Sequence, residues 1–358
     1  MEGTARATVL LEEHRKLGAK LTEFGGWEMP LQYTGIVAEH RAVRETCGIF
    51  DVSHLGKLRV TGRDGGSALQ EAVTADVESL EVGRASYALV LTEEAGCVDD
   101  VFVYRIGEQE WLCVPNASNV AAVADMISAG GADAQDEWDR WTILAIQGPD
   151  SFSLFEEVFG RSDALELALH SFCPLDVFGS VGIVARTGYT GERGFELYAP
   201  VDTAVKAFSS LLEAGGTPVG LGARDTLRLE MGYALYGHEL TLDTNPLEAG
   251  LGWAVDWDAP FRGRDALASI KETGPRRRLM GIVCRDRGVP RQGYRVLSGE
   301  KQIGEVVSGN HSPTLGVGIA LAYFPVEELP QPGEEVAVEA RGRSIVGDIV
   351  KPPFIKKR

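Results

Sequence analysis

Chemistry in this chain centres on two adjacent acids and a third that follows a run of glycines. Asp99 and Asp100 lie in residues 87–104, Tyr-Ala-Leu-Val-Leu-Thr-Glu-Glu-Ala-Gly-Cys-Val-Asp-Asp-Val-Phe-Val-Tyr. β-Branched and aromatic residues flank a polar Glu93-Glu94-Ala95-Gly96 turn, which predicts a β-hairpin with Gly96 at a positive φ. Alternation along a strand puts Val98, Asp100, Phe102 and Tyr104 on one face and Asp99, Val101 and Val103 on the other. The two acids therefore cannot both face water. One is held against an apolar or half-enclosed surface, where it needs a hydrogen-bonding partner or a raised pKa. Two readings follow: a structural Asp that caps a turn or pairs with an Arg, or a carboxylate presented to a ligand from a rigid strand.

The third acid, Glu196, follows Arg186-Thr187-Gly188-Tyr189-Thr190-Gly191-Glu192-Arg193-Gly194. Glycines spaced by three bring this loop close to another group. The segment is neither a P-loop, lacking Gly-Lys-Ser/Thr, nor a dinucleotide fingerprint, since its last Gly opens a strand rather than a helix. On that strand Phe195 and Leu197 share the buried face, and Glu196 points the other way with Tyr198. A carboxylate beside Tyr189 suits a flat heterocycle that offers two parallel N–H donors; the alternative is a solvated Glu on the open face of an edge strand. Asp51, Ser53 and His54 are the ingredients of a hydrolytic triad, but close neighbours on an extended segment cannot converge on one point. No Gly-x-Ser-x-Gly elbow occurs, and His54 reads as a hydrogen-bonded packing residue.

The elements that position these groups follow from periodicity and punctuation. Helices are expected at 8–20, 34–47 (Thr34 as N-cap), 64–80, 116–130, 151–159 and 222–231, with Arg228 and Glu230 decorating the last. Trp27 and Met29 read as core plugs beside the Gly25-Gly26 turn. Asn245-Pro246-Leu247-Glu248 resembles a capping box and predicts a helix start, and Trp253 and Trp257 frame a strand. From 275 onward short strands at 293–298, 301–308, 316–323, 334–340 and 343–350 form an all-β sandwich or small barrel.

Length and charge bound the possibilities. At 358 residues, 44% hydrophobic and 24% charged, the chain is an ordinary globular protein of two or three domains. A net charge of −17 disfavours binding to nucleic acid or anionic lipid. Five cysteines without a Cys-x-x-Cys pair argue against a disulfide framework or a structural zinc site. No run is long enough to span a membrane, and the first 20 residues look like neither signal nor transit peptide, so a cytoplasmic location is expected.

Taken together these segments resemble the aminomethyltransferase family, the folate-dependent T-proteins of the glycine cleavage system, over essentially the whole chain. The resemblance rests on Gly26-Trp27-Glu28-Met29-Pro30, Phe50-Asp51-Val52-Ser53-His54, Gly96-Cys97-Val98-Asp99-Asp100, the 186–196 loop, Gly220-Leu221-Gly222-Ala223-Arg224-Asp225, Asn245-Pro246-Leu247-Glu248-Ala249-Gly250-Leu251, Ser308-Gly309-Asn310, Ser312-Pro313-Thr314-Leu315-Gly316 and Lys351-Pro352-Pro353-Phe354. One departure is Leu55, where Met often follows Ser-His; the swap conserves volume.

The resemblance implies an α+β, three-lobed fold with tetrahydrofolate in a central opening. Two interwoven α+β lobes make up 1–275, roughly 1–51 with 140–245 and 52–139 with 246–275, and a β-barrel takes 276–358. Asp100 is implied as the catalytic carboxylate beside the reactive nitrogens of folate, and Glu196 as the group at its amino-pyrimidinone end. Tyr87, Asn116, Tyr189 and Arg224 fall at positions that line the same cavity. The implied reaction moves the methylene of an aminomethyl group, carried on the lipoyl arm of the H-protein, to folate N5 with loss of ammonia. No metal is required. The alternatives are a tetrahydrofolate-dependent demethylase of an N-, S- or O-methyl compound, and a folate-binding protein without catalysis. The Lys-Gly-Cys-aromatic-x-Gly-Gln signature of the iron–sulfur assembly relatives is absent. The basic end Lys356-Lys357-Arg358 reads either as a contact for the folate glutamate tail or the H-protein, or as a frayed solubilising terminus.

Overall fold

A computed structural model describes residues 5–62, 64–160 and 163–356. Lys357 and Arg358, most of the basic end, lie outside the described residues. The chain divides into two compact units that are each discontinuous in sequence: Met1–Ala88 with Val101–Arg224, and Leu89–Asp100 with Asp225–Arg358.

In the first unit the six strands Phe172–Val177, Ser180–Ala185, Gly194–Pro200, Trp141–Gln147, Gly48–Asp51 and Thr217–Pro218 form one sheet in that order. The central strand Trp141–Gln147, apolar but for Thr142 and Gln147, is buried at every position. Helices Ser151–Phe159 and Val201–Glu213 pack on it, and their Phe155, Phe208 and Leu211 join Ile49, Leu144, Ile146, Phe195 and Leu197 in one core. Each such side chain contributes about 1.5–3 kcal/mol through burial. A small sheet of Arg6–Ala7, Trp27–Gln32 and Lys20–Phe24 carries Trp27 and Met29, both buried as the sequence predicts. A further sheet runs Ala85–Leu91, Cys97–Gly107, Glu110–Val114, Leu58–Thr61, Asp133–Asp136.

In the second unit six strands close into a barrel: Arg277–Cys284, Val317–Pro325, Lys301–Ser312, Arg295–Ser298, Glu335–Ala340 and Arg343–Val350. Closure leaves no edge strand exposed. Inside it pack Ile282, Val296, Val306, Ala320, Phe324, Val338 and Ile349.

Several elements are shorter than periodicity predicts. The helix expected at 8–20 spans Leu11–Lys16, because the chain turns into the strand Lys20–Phe24. The helix expected at 64–80 ends at Ala72. The 34–47 helix runs Ile36–Glu45 with Gly35, not Thr34, as N-cap; the Glu39 carboxylate secures its start by accepting the backbone N–H of Tyr33 (2.6 Å) and Gly35 (2.9 Å). At Asn245 the cap forms without its helix: Oδ1 accepts the N–H of Leu247 (3.0 Å) and Glu248 (3.1 Å), and the chain makes only turns before Gly250 takes φ +74°. Trp253 lies in a short 3₁₀ turn, Gly252–Ala254, rather than at the edge of a strand.

Candidate active site

The hairpin forms where the sequence predicts it, Ala85–Leu91 against Cys97–Gly107, with a different residue at the turn's strained position. Ala95, not Gly96, holds the positive φ, +67°. Thr92 Oγ1 accepts the N–H of Glu94 (3.2 Å) and Gly96 (3.1 Å), which fixes the turn from inside. Gly96 is needed for space, since a Cβ there would sit 2.0 Å from the Leu242 carbonyl oxygen. The next residue, Cys97, donates its N–H to the carbonyls of Thr241 (3.1 Å) and Thr244 (2.8 Å).

This anchoring sets the register of the two acids. Cys97, Asp99, Val101 and Val103 are buried, whereas Val98, Asp100 and Phe102 are half-buried on the opposite face. Asp99 is fully enclosed, and its charge helps burial raise the pKa of the Tyr236 phenol. Of the two acids Asp100 is therefore the half-exposed one, and it is held on a backbone tied down on both sides of the turn.

Glu196 lies on Gly194–Pro200, which pairs with Trp141–Gln147 on one side and Ser180–Ala185 on the other. Both faces of this inner strand are covered, so Glu196 points away from Phe195 and Leu197 yet is itself buried. That rules out the solvated edge-strand reading. Burial raises its carboxyl pKa, while the hydrogen bond from Thr187 Oγ1 (2.5 Å) and the charge of Arg224 oppose the rise. The Arg224 guanidinium sits 4.6 Å from the ring centre of Tyr189. The glycines of the 186–196 loop make room for Gln147: a Cβ at Gly188 would lie 2.1 Å from its Oε1. Gln147 Nε2 donates to the carbonyls of Thr187 and Phe195 (both 3.2 Å), and Thr190 Oγ1 donates to its Oε1 (2.8 Å).

Among the residues expected to hold a ligand, Tyr189, Glu196 and Arg224 thus come together in the first unit. Tyr87 stands edge-on to Phe102 at 5.7 Å, and Asn116, in extended conformation, precedes the 3₁₀ turn Ala117–Asn119; both belong to this unit as well. Asp100 belongs to the second unit.

Two family descriptions match the chain: the GCVT N-terminal domain over residues 10–259 and the glycine cleavage T-protein C-terminal barrel domain over 277–356. The aminomethyltransferase of Halothermothrix orenii is 43% identical over 98% of this chain and 100% of its own length. That of Rubrobacter xylanophilus is 46% identical over 99% of this chain and 96% of its own length. The crystal structure of glycine cleavage system aminomethyltransferase T from Bartonella henselae superposes with a TM-score of 0.92 at 32% identity, covering 99% of both chains. The chain belongs to the aminomethyltransferase, or T-protein, family.

Two buried networks in this T-protein are not evident from its sequence. In the first unit Asp51 is enclosed and accepts hydrogen bonds from Thr8 Oγ1 (2.8 Å), Ser53 N–H (2.9 Å) and Ser53 Oγ (2.5 Å), and it pairs with His14 Nε2 (2.9 Å). Tyr33 OH meets the other ring nitrogen of that histidine at 2.9 Å. Burial opposes ionisation of Asp51, but His14 and Ser53 outweigh it and hold the carboxyl below its usual value. His54 takes no part in this network. It is buried, its ring centre 5.5 Å from that of Phe24 in a T-shaped contact, and its Nδ1 has no hydrogen-bond partner among the described residues. Burial, then the charge of Arg224, push its pKa down to about 3 against the pull of Asp51, so it is neutral at physiological pH. The expected hydrogen-bonded packing histidine is therefore packed but not satisfied at Nδ1.

The second unit holds the other network. Arg228, read from sequence as decoration, is fully buried: it donates to Asp225 Oδ1 (2.9 Å), the Tyr233 carbonyl (3.0 Å), Glu239 Oε2 (2.9 Å) and Ser308 Oγ (2.8 Å). Glu230 is buried too, and accepts from Ser312 Oγ (2.5 Å) and Thr314 Oγ1 (2.9 Å). The one local signal was Asp225 and Arg228 at i,i+3, a spacing that places both on one helix face.

Proposed function

We infer that this chain is the tetrahydrofolate-dependent aminomethyltransferase of a glycine cleavage system, taking the methylene of an aminomethyl group from the lipoyl arm of the H-protein and releasing ammonia. Tetrahydrofolate is a substrate here, and it supplies the nucleophilic amine that receives the one-carbon unit. The observation that carries the reading is Glu196, a buried carboxylate on an inner strand that feels the charge of Arg224, whose guanidinium lies over the Tyr189 ring. Such a group is costly to bury unless something donates to it. A carboxylate has about four lone-pair sites, and Thr187 takes one of them. The remaining capacity suits the paired N–H donors of an amino-pyrimidinone, with Tyr189 offering a ring to stack on.

Asp100 is the second half of the proposal. A fixed anion beside an amine orients it, and it offsets the positive charge that develops as ammonia departs. The structural support is its half-exposed face and its rigid anchoring, in contrast to the enclosed Asp99. Tyr87 and Asn116 are proposed to complete the binding surface. The test is tetrahydrofolate-dependent ammonia release from aminomethylated H-protein, with dimethylglycine and a sulfonium compound as competing one-carbon donors. Turnover with H-protein alone supports the reading; turnover only with a methylated small molecule replaces it with a demethylase.

A further inference from the structure

A side-chain amide that gives both of its hydrogens to one loop fixes the shape of that loop, because its hydrogen bonds have directions as well as lengths. Gln147, the last residue of the strand Trp141–Gln147, is fully buried and pairs across the sheet with Gly194. Its Nε2 donates to the carbonyls of Thr187 and Phe195, one at each end of the 186–196 loop (both 3.2 Å), and its Oε1 takes the Thr190 hydroxyl between them (2.8 Å). The amide cannot be turned over, since its oxygen would then face two carbonyls. The glycines yield to it from both sides: a Cβ at Gly188 would lie 2.1 Å from Oε1, and one at Gly194 2.8 Å from Nε2.

The two carbonyls that Gln147 holds belong to Thr187 and to the residue before Glu196. One carboxamide thereby sets the spacing between a hydroxyl and the carboxylate that accepts it, Thr187 Oγ1 to Glu196 Oε2 at 2.5 Å. That hydroxyl has a single proton, and Glu196 takes it. The Tyr104 phenol, 3.3 Å from the same oxygen, is left to donate rather than accept. The hydroxyl protons of this cluster thus run toward Glu196, and its carboxylate can offer a ligand only acceptors. We propose that Gln147 is a positioning residue which, through Thr187, makes Glu196 select for N–H donors: a flat ligand with an amino group at that edge is kept, and one with a methyl group there is rejected. The proposal rests on the folate reading of this site and names what within it discriminates.

The experiment uses the full chain with two probes, tetrahydrofolate and the analogue in which a methyl group replaces its pyrimidinone amino group. Wild type is measured first. If it binds neither probe, the folate reading fails; if it binds both equally, Glu196 does not meet the amino group; either result overturns this proposal too. We expect wild type to prefer tetrahydrofolate by about 100-fold, the scale of a hydrogen bond to a charged group. Gln147→Met keeps the length of the side chain without its polar atoms and cuts that preference to about tenfold or less. Gln147→Glu, which keeps the acceptor for Thr190 but not the two donors, does the same and is read in its place if Gln147→Met does not fold. Thr187→Val also loses the preference, and Thr187→Ser, which keeps the hydroxyl, stays within about threefold of wild type. In a Glu196→Gln background Gln147→Met changes the remaining preference no further, because residues acting as one unit are not additive. A purely structural role weakens both probes alike. A ratio still near the wild-type value in the Gln147 variants or in Thr187→Val, or additive losses in the double variant, overturns the proposal.

Discussion

Asp100→Asn removes one charge and almost no volume. The hairpin that carries it is held by Thr92, by the two hydrogen bonds from Cys97 and by the close approach of Gly96 to Leu242, none of which involves the Asp100 side chain. The variant should therefore fold as the wild type does and bind tetrahydrofolate within about tenfold of it. Turnover is another matter. Two unit charges about 4 Å apart interact by about 4 kcal/mol at an effective dielectric of 20. Asp100 is half-buried, so solvent takes part of this, leaving about 2–3 kcal/mol and a loss of roughly 30- to 150-fold in rate. The assay is single-turnover ammonia release from aminomethylated H-protein at saturating tetrahydrofolate, with Asp99→Asn as the comparison. Asp99 is enclosed, so its substitution should register in stability. If Asp100→Asn keeps its rate within about fivefold, or if Asp99→Asn folds normally and loses the activity instead, the wrong acid has been assigned.

Three further outcomes follow from the buried charges. Glu196→Gln should leave the unliganded protein no less stable, because burial already disfavours the charge, and should weaken tetrahydrofolate binding about 10- to 100-fold by calorimetry; equal affinities would place the ligand elsewhere. Arg228→Met leaves Glu239 enclosed without its counter-charge and should cost about 3–5 kcal/mol in urea unfolding. Arg228→Met with Glu239→Leu should recover at least half of that, and a single-variant cost below about 1 kcal/mol would make the pair incidental. His54 has its folded pKa lowered from 6.5 to about 3, so the folded state prefers it neutral. Stability is then fully present above pH 6.5 and falls by up to about 1.4 kcal/mol per unit as pH drops toward 3. Asp51, also lowered, adds a loss only below its ordinary value of 3.8. Denaturant midpoints between pH 7 and pH 4 test this, and an acid slope as steep in His54→Phe as in wild type contradicts it.

The hairpin, the opposite facing of Asp99 and Asp100 and the barrel were legible because two-residue alternation and turn residues are local signals. The direction of Glu196 was legible for the same reason. Its burial was not, since an inner strand is defined by its neighbours, and Glu196 meets Ala145 across 51 positions of sequence. The Arg228 network was hidden for a related cause: its partner Ser308 is 80 residues away, and a helix whose residues 226–230 are all buried reads like an amphipathic one. At Asn245 the local signal was present and the outcome still differed, because a cap satisfies backbone donors without obliging the following residues to continue as helix. His54 shows the limit most directly, as no pattern in the chain distinguishes a satisfied imidazole from an unsatisfied one.

The segment Leu89–Asp100 groups with residues 225–358 although it is translated far ahead of them. Its carbonyl partners at Thr241 and Thr244, and the Leu242 oxygen that Gly96 approaches, leave the ribosome well over a hundred residues later. At about 5–20 residues per second the loop waits on the order of 7–30 s for them. During that interval Asp99 and Asp100 sit on an unfinished ribbon. An amino-terminal fragment that stopped short of Thr241 would carry the proposed catalytic acid without the backbone that aims it.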